Sequence, residues 1–344
     1  MQIASFQLEN HVFAAPMAGV TDRPFRQLCR RLGAGYAVSE MVTSRRDLWD
    51  SLKTSRRANH EGEDGPVAVQ IAGTDSQMMA DAALYNINRG AQIIDINMGC
   101  PAKKVCSKWA GSALMQNEPL ALDIVQAVVA VCEPKGVPVT LKMRTGWSDS
   151  HKNAVRLARL FEDAGIKMLA IHGRTREQGY KGCAEYSTIA AVKAQAGIPI
   201  VANGDIDSPE KARLVLDLTK ADAVMLGRAA QGRPWIFREV AHFLKTGMKL
   251  PPPRVSEVAH WLIDHLEDHY RLYGEYSGVR TARKHIGWYV ANLPGGYDFR
   301  QKMIAIDNSA EQSSAVSTFF NILSLQLEYW PEKNTTNIVK SERL

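Results

Sequence analysis

The sequence predicts an α/β protein: a (β/α)8 TIM barrel followed by a small all-α helical domain. Three observations support this prediction. Short strand-like runs recur eight times along the first two thirds of the chain, segments with apolar residues three and four apart lie between them, and the strand-like runs stop after a proline-rich segment. With 344 residues, the chain can hold a barrel of about 240 residues and a further domain.

The eight runs are rich in β-branched and other apolar residues. They are VFAAP from Val12, YAVSE from Tyr36, VAVQIAG from Val67, IIDINMG from Ile93, VTLKMR from Val139, MLAIHG from Met168, IPIVANG from Ile198 and AVMLGR from Ala223. Helical spacing predicts helices over 76–89, 120–132, 152–164, 186–196 and 209–218. No pair of runs reads as an antiparallel hairpin. A doubly wound sheet is the competing architecture, but no G-x-G-x-x-G follows the first run.

After the eighth run the pattern becomes helical. The segment MKLPPPR from Met248 is a proline-rich break, and helical spacing then predicts helices over 258–273, 279–291 and 311–327. We therefore predict a barrel domain over 1–245 and a helical domain over 246–330. The polar, unpatterned residues 331–344 are expected to form a disordered tail.

Composition excludes several classes of protein. With 45% hydrophobic and 23% charged residues, the chain reads as globular rather than disordered. Its five cysteines include no C-x-x-C pair, which disfavours a disulfide framework or a structural zinc site. The absence of a long apolar run and of a signal-like start predicts a cytoplasmic protein without a membrane partner. A net charge of +6 is compatible with an anionic partner but does not establish one.

The predicted strands end in polar side chains, at the barrel rim where chemistry takes place in this fold. Gln70, Asn97, Cys100, Lys142 and His172 converge there from different strands. A purely structural barrel would place one or two such residues there by accident, so their convergence indicates an active site.

A phosphate site is predicted at the ends of the seventh and eighth strands. Gly204 and Gly227 expose backbone N–H groups there, and the guanidinium of Arg228 can bind phosphate oxygens bidentately. Either glycine alone would more simply serve a tight turn. A mononucleotide flavin fits the remaining groups, since Gln70 offers a donor and an acceptor to a pyrimidine edge and Lys142 offers a cation to an anionic reduced ring.

Cys100 is the predicted proton donor. It follows a strand end, between Gly99 and Pro101, in a segment that no helical pattern explains, whereas Cys29, Cys132 and Cys183 read as ordinary small buried hydrophobic residues. Cys106, six residues later, is a rival or resolving thiol with weaker support.

Seven strings in the chain resemble the tRNA-dihydrouridine synthases: AAPMAGVTDRPFR, VQIAG, DINMGCPAKKV, LKMRTGW, IHGRT, ANGDI and MLGRAAQGRPWIF. The string RTARKHIGWY places the chain closest to the bacterial B-type subgroup, and the resemblance covers about residues 13–327. It implies an FMN-dependent TIM barrel and a helical tRNA-binding domain, with NADPH as reductant and uridine of the tRNA D-loop as substrate. No protein partner is implied.

The resemblance also implies roles for individual residues. Pro16, Met17 and Ala18 would lie along the flavin ring, and Gln70, Lys142 and His172 would bind it. The ribityl phosphate would be held by Asn203, Gly204, Asp205, Gly227 and Arg228. Cys100 would be the catalytic proton donor, with Asn97 close to the uracil.

The helical domain is not basic overall. From Phe243 onward, 12 Lys or Arg stand against 11 Asp or Glu, leaving 30 against 25 in the preceding part. An RNA contact must therefore be local, and Arg280, Arg283 and Lys284, with His285, Trp288 and Tyr289 beside them, form the best candidate. An amphipathic helix with solvated basic residues is an equally good interpretation of the residues alone.

His265 and His269, four residues apart on one predicted helix, suggest a metal pair. Without a third ligand in the pattern, an exposed helix face is the better interpretation, and we predict no metal site.

Two other functions remain as alternatives to a tRNA-uridine reductase. One is a flavin barrel that reduces a free pyrimidine, which would leave the helical domain without a role. The other is a non-catalytic RNA-binding protein on a flavin scaffold, against which the joint presence of Cys100, Lys142, Gln70 and His172 speaks.

Overall fold

The computed structural model describes residues 1–106 and 110–331. Its strands are β1 (Gln2–Ile3), β2 (Phe6–Gln7), β3 (Val12–Ala14), β4 (Tyr36–Ala37), β5 (Val42–Thr43), β6 (Ala68–Ala72), β7 (Ile93–Met98), β8 (Val139–Arg144), β9 (Met168–His172), β10 (Ile200–Asn203) and β11 (Ala223–Leu226). Each of the eight predicted runs contains a strand. The prediction of the strands is confirmed in order and in place.

Nine of these strands form one parallel sheet in the order β4, β3, β11, β10, β9, β8, β7, β6, β5. Just after β4, Val38 forms a parallel bridge with Ala68 of β6, and the Ser39 amide donates to the Ala68 carbonyl at 3.0 Å. The sheet therefore curls until β4 meets β6, with β5 as a short addition at the end of β6. This confirms the predicted (β/α)8 class.

The helices of this part are α1 (Arg23–Arg31), α2 (Leu52–Arg57), α3 (Ser76–Ile87), α4 (Lys103–Cys106), α5 (Glu118–Cys132), α6 (Ala154–Asp163), α7 (Ser187–Lys193), α8 (Pro209–Thr219) and α9 (Ile236–Thr246). The five predicted helices are present with ends shifted by a few residues. Helix α1 was missed, although its start carries a signal: Asp22 caps it by accepting from the Phe25 amide at 3.1 Å, and a proline lies in its first turn.

One hairpin lies outside the predicted pattern. Strands β1 and β2 pair antiparallel, with Ile3 opposite Phe6. Ile3 is fully buried in a cluster with Phe13, Met168 and Val201, residues of the barrel strands. Two-residue strands leave no readable periodicity, so this hairpin could not be predicted from the sequence.

The chain divides into two compact units. The first comprises Met1–Ala230 and Pro234–Lys249, and the second comprises Gln231–Arg233 and the chain from Leu250. The predicted boundary after residue 245 thus falls inside α9, four residues before this division.

The second unit is helical, as predicted, with α10 (Val255–Val290), α11 (Gly296–Ala305) and α12 (Ser309–Ser324). Gly274 interrupts α10 with a non-helical backbone (φ 74°, ψ 171°), which gives the two predicted helices of this stretch. Helix α11 was not predicted. After α12 the chain returns, and Tyr329 forms a bridge with Arg254.

The predicted disordered tail, apart from Pro331, lies outside the described residues. Among the helices within 1–106 and 110–331, none combines the length and the apolar character that crossing a membrane requires.

Candidate active site at the carboxyl ends of the barrel strands

The strand register brings the predicted site residues together at one end of the barrel. Asn97 on β7 stands opposite Lys142 on β8, and His172 on β9 stands opposite Asn203 on β10. Gln70 on β6 stands opposite Asp95 on β7. Residues far apart in sequence therefore line one rim, as parallel strands require.

A chain of hydrogen bonds fixes the side chain of Gln70, which is 1% exposed. Its Nε2 donates to Oδ2 of Asp95 at 2.7 Å, and its Oε1 accepts from Nδ2 of Asn97 at 2.7 Å. Thr140 donates to the other Asp95 oxygen at 2.6 Å. Burial raises the pKa of Asp95, which Thr140 and Gln70 partly offset by bonding to its carboxylate. These contacts set the orientation of both amides.

The side chain of Asn97 also holds the backbone of the segment that carries Cys100. Its Oδ1 accepts from the backbone amides of Gly99 at 3.3 Å and Cys100 at 3.1 Å. On the other side, the Cys100 carbonyl accepts from the Ser112 hydroxyl at 2.9 Å. A Cβ at Gly111, whose φ is +63°, would lie 2.8 Å from that carbonyl oxygen, so glycine is required there. The backbone around Cys100 is held from both sides.

Burial raises the pKa of the Cys100 thiol, and the neighbouring Cys106 adds to this. The thiol therefore carries its proton at neutral pH, which is the state a proton donor needs. Cys106 instead points its sulfur at the Cys100 carbonyl, 3.4 Å away, and at the Ser112 hydroxyl, 3.5 Å away. Its contacts are those of a supporting residue.

Lys142 is a half-buried cation on the inner row of strand residues. Its Nζ donates to Oδ1 of Asn203 at 3.0 Å, while Nδ2 of Asn203 donates to the Met225 carbonyl at 2.8 Å. Burial, followed by the charge of Arg144, lowers the pKa of Lys142 to about 8. The side-chain amide of Asn203 thus fixes the position of the Lys142 ammonium group.

His172 is neutral across the physiological range. Burial and then the positive charges of Lys142, Arg144, Arg174 and Arg228 lower its pKa to about 2. Its ring packs on Gly204, where a Cβ would lie 3.0 Å from Cδ2 of the imidazole. His172 is therefore placed here as a neutral hydrogen-bonding side chain among four cationic residues.

The carboxylate of Asp205 organises two arginines. Arg174, which is buried, binds both carboxylate oxygens at 2.9 and 2.6 Å, and the exposed Arg228 binds one of them at 3.1 Å. The Ala184 amide donates to the same carboxylate at 2.8 Å. Asp205 therefore sets the position of Arg228 rather than offering a donor to an anion.

The segment after β3 is a tight turn close to Gly227. The Met17 amide donates to the Thr21 hydroxyl at 2.7 Å, and Ala18 is exposed. A Cβ at Gly227 would lie 3.5 Å from the Met17 sulfur. Pro16, Met17 and Ala18 thus lie by the strand ends where the phosphate site was predicted.

Several residues of this rim were not predicted from the sequence. Asp95 and Thr140 left a weak signal, since each interrupts an apolar strand run. Tyr180 left none, as a single aromatic in a polar loop, yet its ring lies 4.9 Å from the guanidinium carbon of Arg228 and 5.7 Å from that of Arg144.

In the helical unit, the predicted RNA-binding cluster is only partly exposed. Arg280 is exposed, lies over the ring of Tyr276 at 3.8 Å and pairs with Asp307 at 3.5 Å. Arg283 is less exposed and is bound to the Ile306 carbonyl at 2.8 Å and to Asp307 at 3.0 Å. Lys284 is half-buried. His285 and Tyr289 are buried, which contradicts their predicted place on a stacking face; the exposed aromatic beside Arg280 is Tyr276.

Comparisons with known proteins agree with this picture. A model of the family described as dihydrouridine synthase (Dus) matches residues 13–324. The tRNA-dihydrouridine synthase B of Shewanella oneidensis is 57% identical over 323 residues, covering 94% of this chain and 99% of that protein. The protein of that name from Pseudomonas aeruginosa is 57% identical over 320 residues, covering 93% and 96%.

Two solved structures share the barrel. An old yellow enzyme homologue from Zymomonas mobilis has a TM-score of 0.52 at 15% identity, covering 73% of this chain and 93% of that chain. A 2-naphthoyl-CoA reductase complex has a TM-score of 0.55 at 12% identity, covering 70% and 51%. At these identities the likeness shows the fold alone.

The barrel, its charged rim and the family match define an oxidoreductase of the flavin-dependent class. The chain belongs to the dihydrouridine synthase family. The resemblance found in the sequence is confirmed.

Proposed function

We propose that this protein reduces the C5=C6 bond of specific uridines in the D-loop of tRNA, with FMN as its bound cofactor and NADPH as reductant. The names of the relatives support the tRNA substrate. The proposed chemistry rests on the placement of Cys100 at the rim. Asn97 and Ser112 hold its backbone from two sides, and burial raises the pKa of its thiol.

The rim residues fit a flavin mononucleotide. Lys142, Arg144, Arg174 and Arg228 lie close enough to His172 to add to the effect of burial on its pKa. Asp205 pairs with Arg174 and Arg228. An anionic phosphate and an anionic reduced ring would offset the remaining positive potential.

Each predicted cofactor residue then has a role in the proposal. The ring would lie along Pro16, Met17 and Ala18 and be bound by Gln70, Lys142 and His172. The phosphate would be held by the backbone at Gly204 and Gly227 and by Arg228, with Asp205 positioning Arg228 and Asn203 positioning Lys142.

When bound, the reduced flavin supplies the hydride for C6 of the uracil. Cys100 gives its proton to C5, and water later restores it. Asn97 would orient the base with the second hydrogen of Nδ2, because its other contacts hold Gln70 and the Cys100 backbone. Burial and the neighbouring cations lower the pKa of His172, which favours Cys100 over His172 as the acid.

The target uridine must leave its stack to reach this rim. Binding of the surrounding RNA would use Arg280 and Lys284, with Tyr276 as an exposed stacking surface. Arg283 would act indirectly, because its side chain is 22% exposed against 39% for Arg280 and its guanidinium also binds the Ile306 carbonyl.

We expect the double variant Arg280→Ala/Lys284→Ala to bind tRNA more weakly and with a shallower salt dependence. Two phosphate contacts on single-strand-like RNA account for a log–log slope of about 1.4. Binding should be measured by filter retention from low to high salt, with Arg271→Ala as the matched control on the same helix. An unchanged slope in a folded double variant would move the RNA contact to other residues.

Substrate choice separates the alternatives. The purified protein should oxidise NADPH rapidly when the substrate is tRNA that lacks dihydrouridine, and only slowly when the substrate is free uridine. Equal rates would favour a free-pyrimidine reductase. A colourless protein that cannot be reconstituted with FMN would favour a non-catalytic RNA-binding protein.

A further inference from the structure

Three histidines converge inside the helical unit. His265 and His269 lie on α10 before the break at Gly274, and His285 lies on α10 after it. They are 0%, 0% and 1% exposed, so the predicted exposed helix face is wrong. One ring nitrogen from each lies within 4.8 Å of the others.

The packing of the two α10 segments creates this arrangement. Spacing of four residues places His265 and His269 on one face. The other segment approaches closely at Gly278, where a Cβ would lie 3.2 Å from Cα of Tyr270. The ring of His285 then lies 4.8 Å from that of His265 and 5.4 Å from that of His269, in edge-on arrangements.

Hydrogen bonding favours one tautomer of His269. The Thr281 hydroxyl lies 2.6 Å from the Ser277 carbonyl and 2.8 Å from Nε2 of His269. When the hydroxyl gives its single hydrogen to the carbonyl, it accepts from Nε2–H of His269. A neutral imidazole protonated at Nε2 carries its lone pair on Nδ1. Metal-binding histidines are typically oriented by a hydrogen bond of this kind, donated by the ring nitrogen that does not bind the metal.

We propose that His265, His269 and His285 bind one divalent transition-metal ion of the zinc type, which clips the two segments of α10 together. Three imidazoles suit zinc, whereas magnesium and calcium require oxygen ligands. Zinc–nitrogen bonds imply nitrogen separations of about 3.3 Å in a tetrahedral site. The nitrogens, now within 4.8 Å of one another, would move closer together when the ion binds. Within the described residues no carboxylate or thiolate joins the three, so a water would complete the site.

The test is zinc uptake by the intact protein. Metal-stripped protein is dialysed against micromolar Zn²⁺, and its content is measured by mass spectrometry. We expect about one ion per chain and a melting midpoint several degrees higher with zinc. Both effects should be lost in His285→Gln.

Two controls locate the ion. His260→Gln removes an exposed histidine of the same helix, and Cys100→Ala removes a half-buried thiol of the first unit; both should keep the ion. Wild-type protein that takes up no zinc overturns the proposal whether or not the variant folds. Uptake that survives in folded His285→Gln, or that Cys100→Ala abolishes, also overturns it.

Discussion

We expect Cys100→Ala to reduce tRNA turnover by about 10² to 10⁴-fold, the usual contribution of a positioned proton donor. Binding of flavin and tRNA should be unchanged, because the Asn97 and Ser112 contacts reach the backbone of residue 100 rather than its sulfur. Half-reactions measured by stopped flow isolate the effect. Reduction of the enzyme by NADPH should proceed normally, and reoxidation by tRNA should nearly stop.

Cys106→Ala is the matched control. Among the described residues its sulfur has weak contacts with the Cys100 carbonyl and the Ser112 hydroxyl, so we expect turnover close to wild type. Should Cys106→Ala lose reoxidation while Cys100→Ala retains it, the proton donor has been assigned to the wrong thiol, although the reaction class would stand.

The second large effect is expected for Lys142→Met. Removing a preorganised cation from a developing negative charge typically costs 10²- to 10³-fold in rate, so reduction by NADPH should slow by about that factor. Lys142→Arg should recover part of the rate, because it restores the charge with a different donor geometry. Stopped-flow flavin bleaching measures both variants. A normal rate in folded Lys142→Met would remove Lys142 from the chemistry.

The same residue predicts a pH dependence. Since burial and Arg144 lower the pKa of Lys142 to about 8, raising the pH through this value removes its charge. The rate of flavin reduction by NADPH should therefore fall above about pH 8 in the wild type. This fall in rate should be absent in Lys142→Met. An anionic ring bound beside Lys142 would shift this fall in rate to higher pH. If the fall in rate persists in Lys142→Met, it is caused by the titration of another group.

The rim could be predicted from the sequence because it depends on which residue ends each strand. Lys142 interrupts an apolar run, and His172 and Asn203 close theirs, so strand order alone places them together. What could not be predicted is how these side chains use one another. Asn203 proves to be bonded to Lys142, and Asp205 to two arginines, because a pairing across strands depends on side-chain orientation.

The helical unit was harder to predict for a related reason. His285 and Tyr289 read as part of a basic face with Arg280, but a helix enclosed by neighbours buries more than one stripe. The position of Gly274, which sends the chain back on itself, decides that His285 faces His265 and His269. Sequence spacing cannot reveal a contact made across such a break.

The most direct test of the account is a map of dihydrouridine in tRNA from cells that lack this gene. We predict that at least one D-loop position is left as uridine, that the wild-type gene restores dihydrouridine there, and that Cys100→Ala does not. An unchanged dihydrouridine map in the deletion strain, or full restoration by Cys100→Ala, would contradict the account.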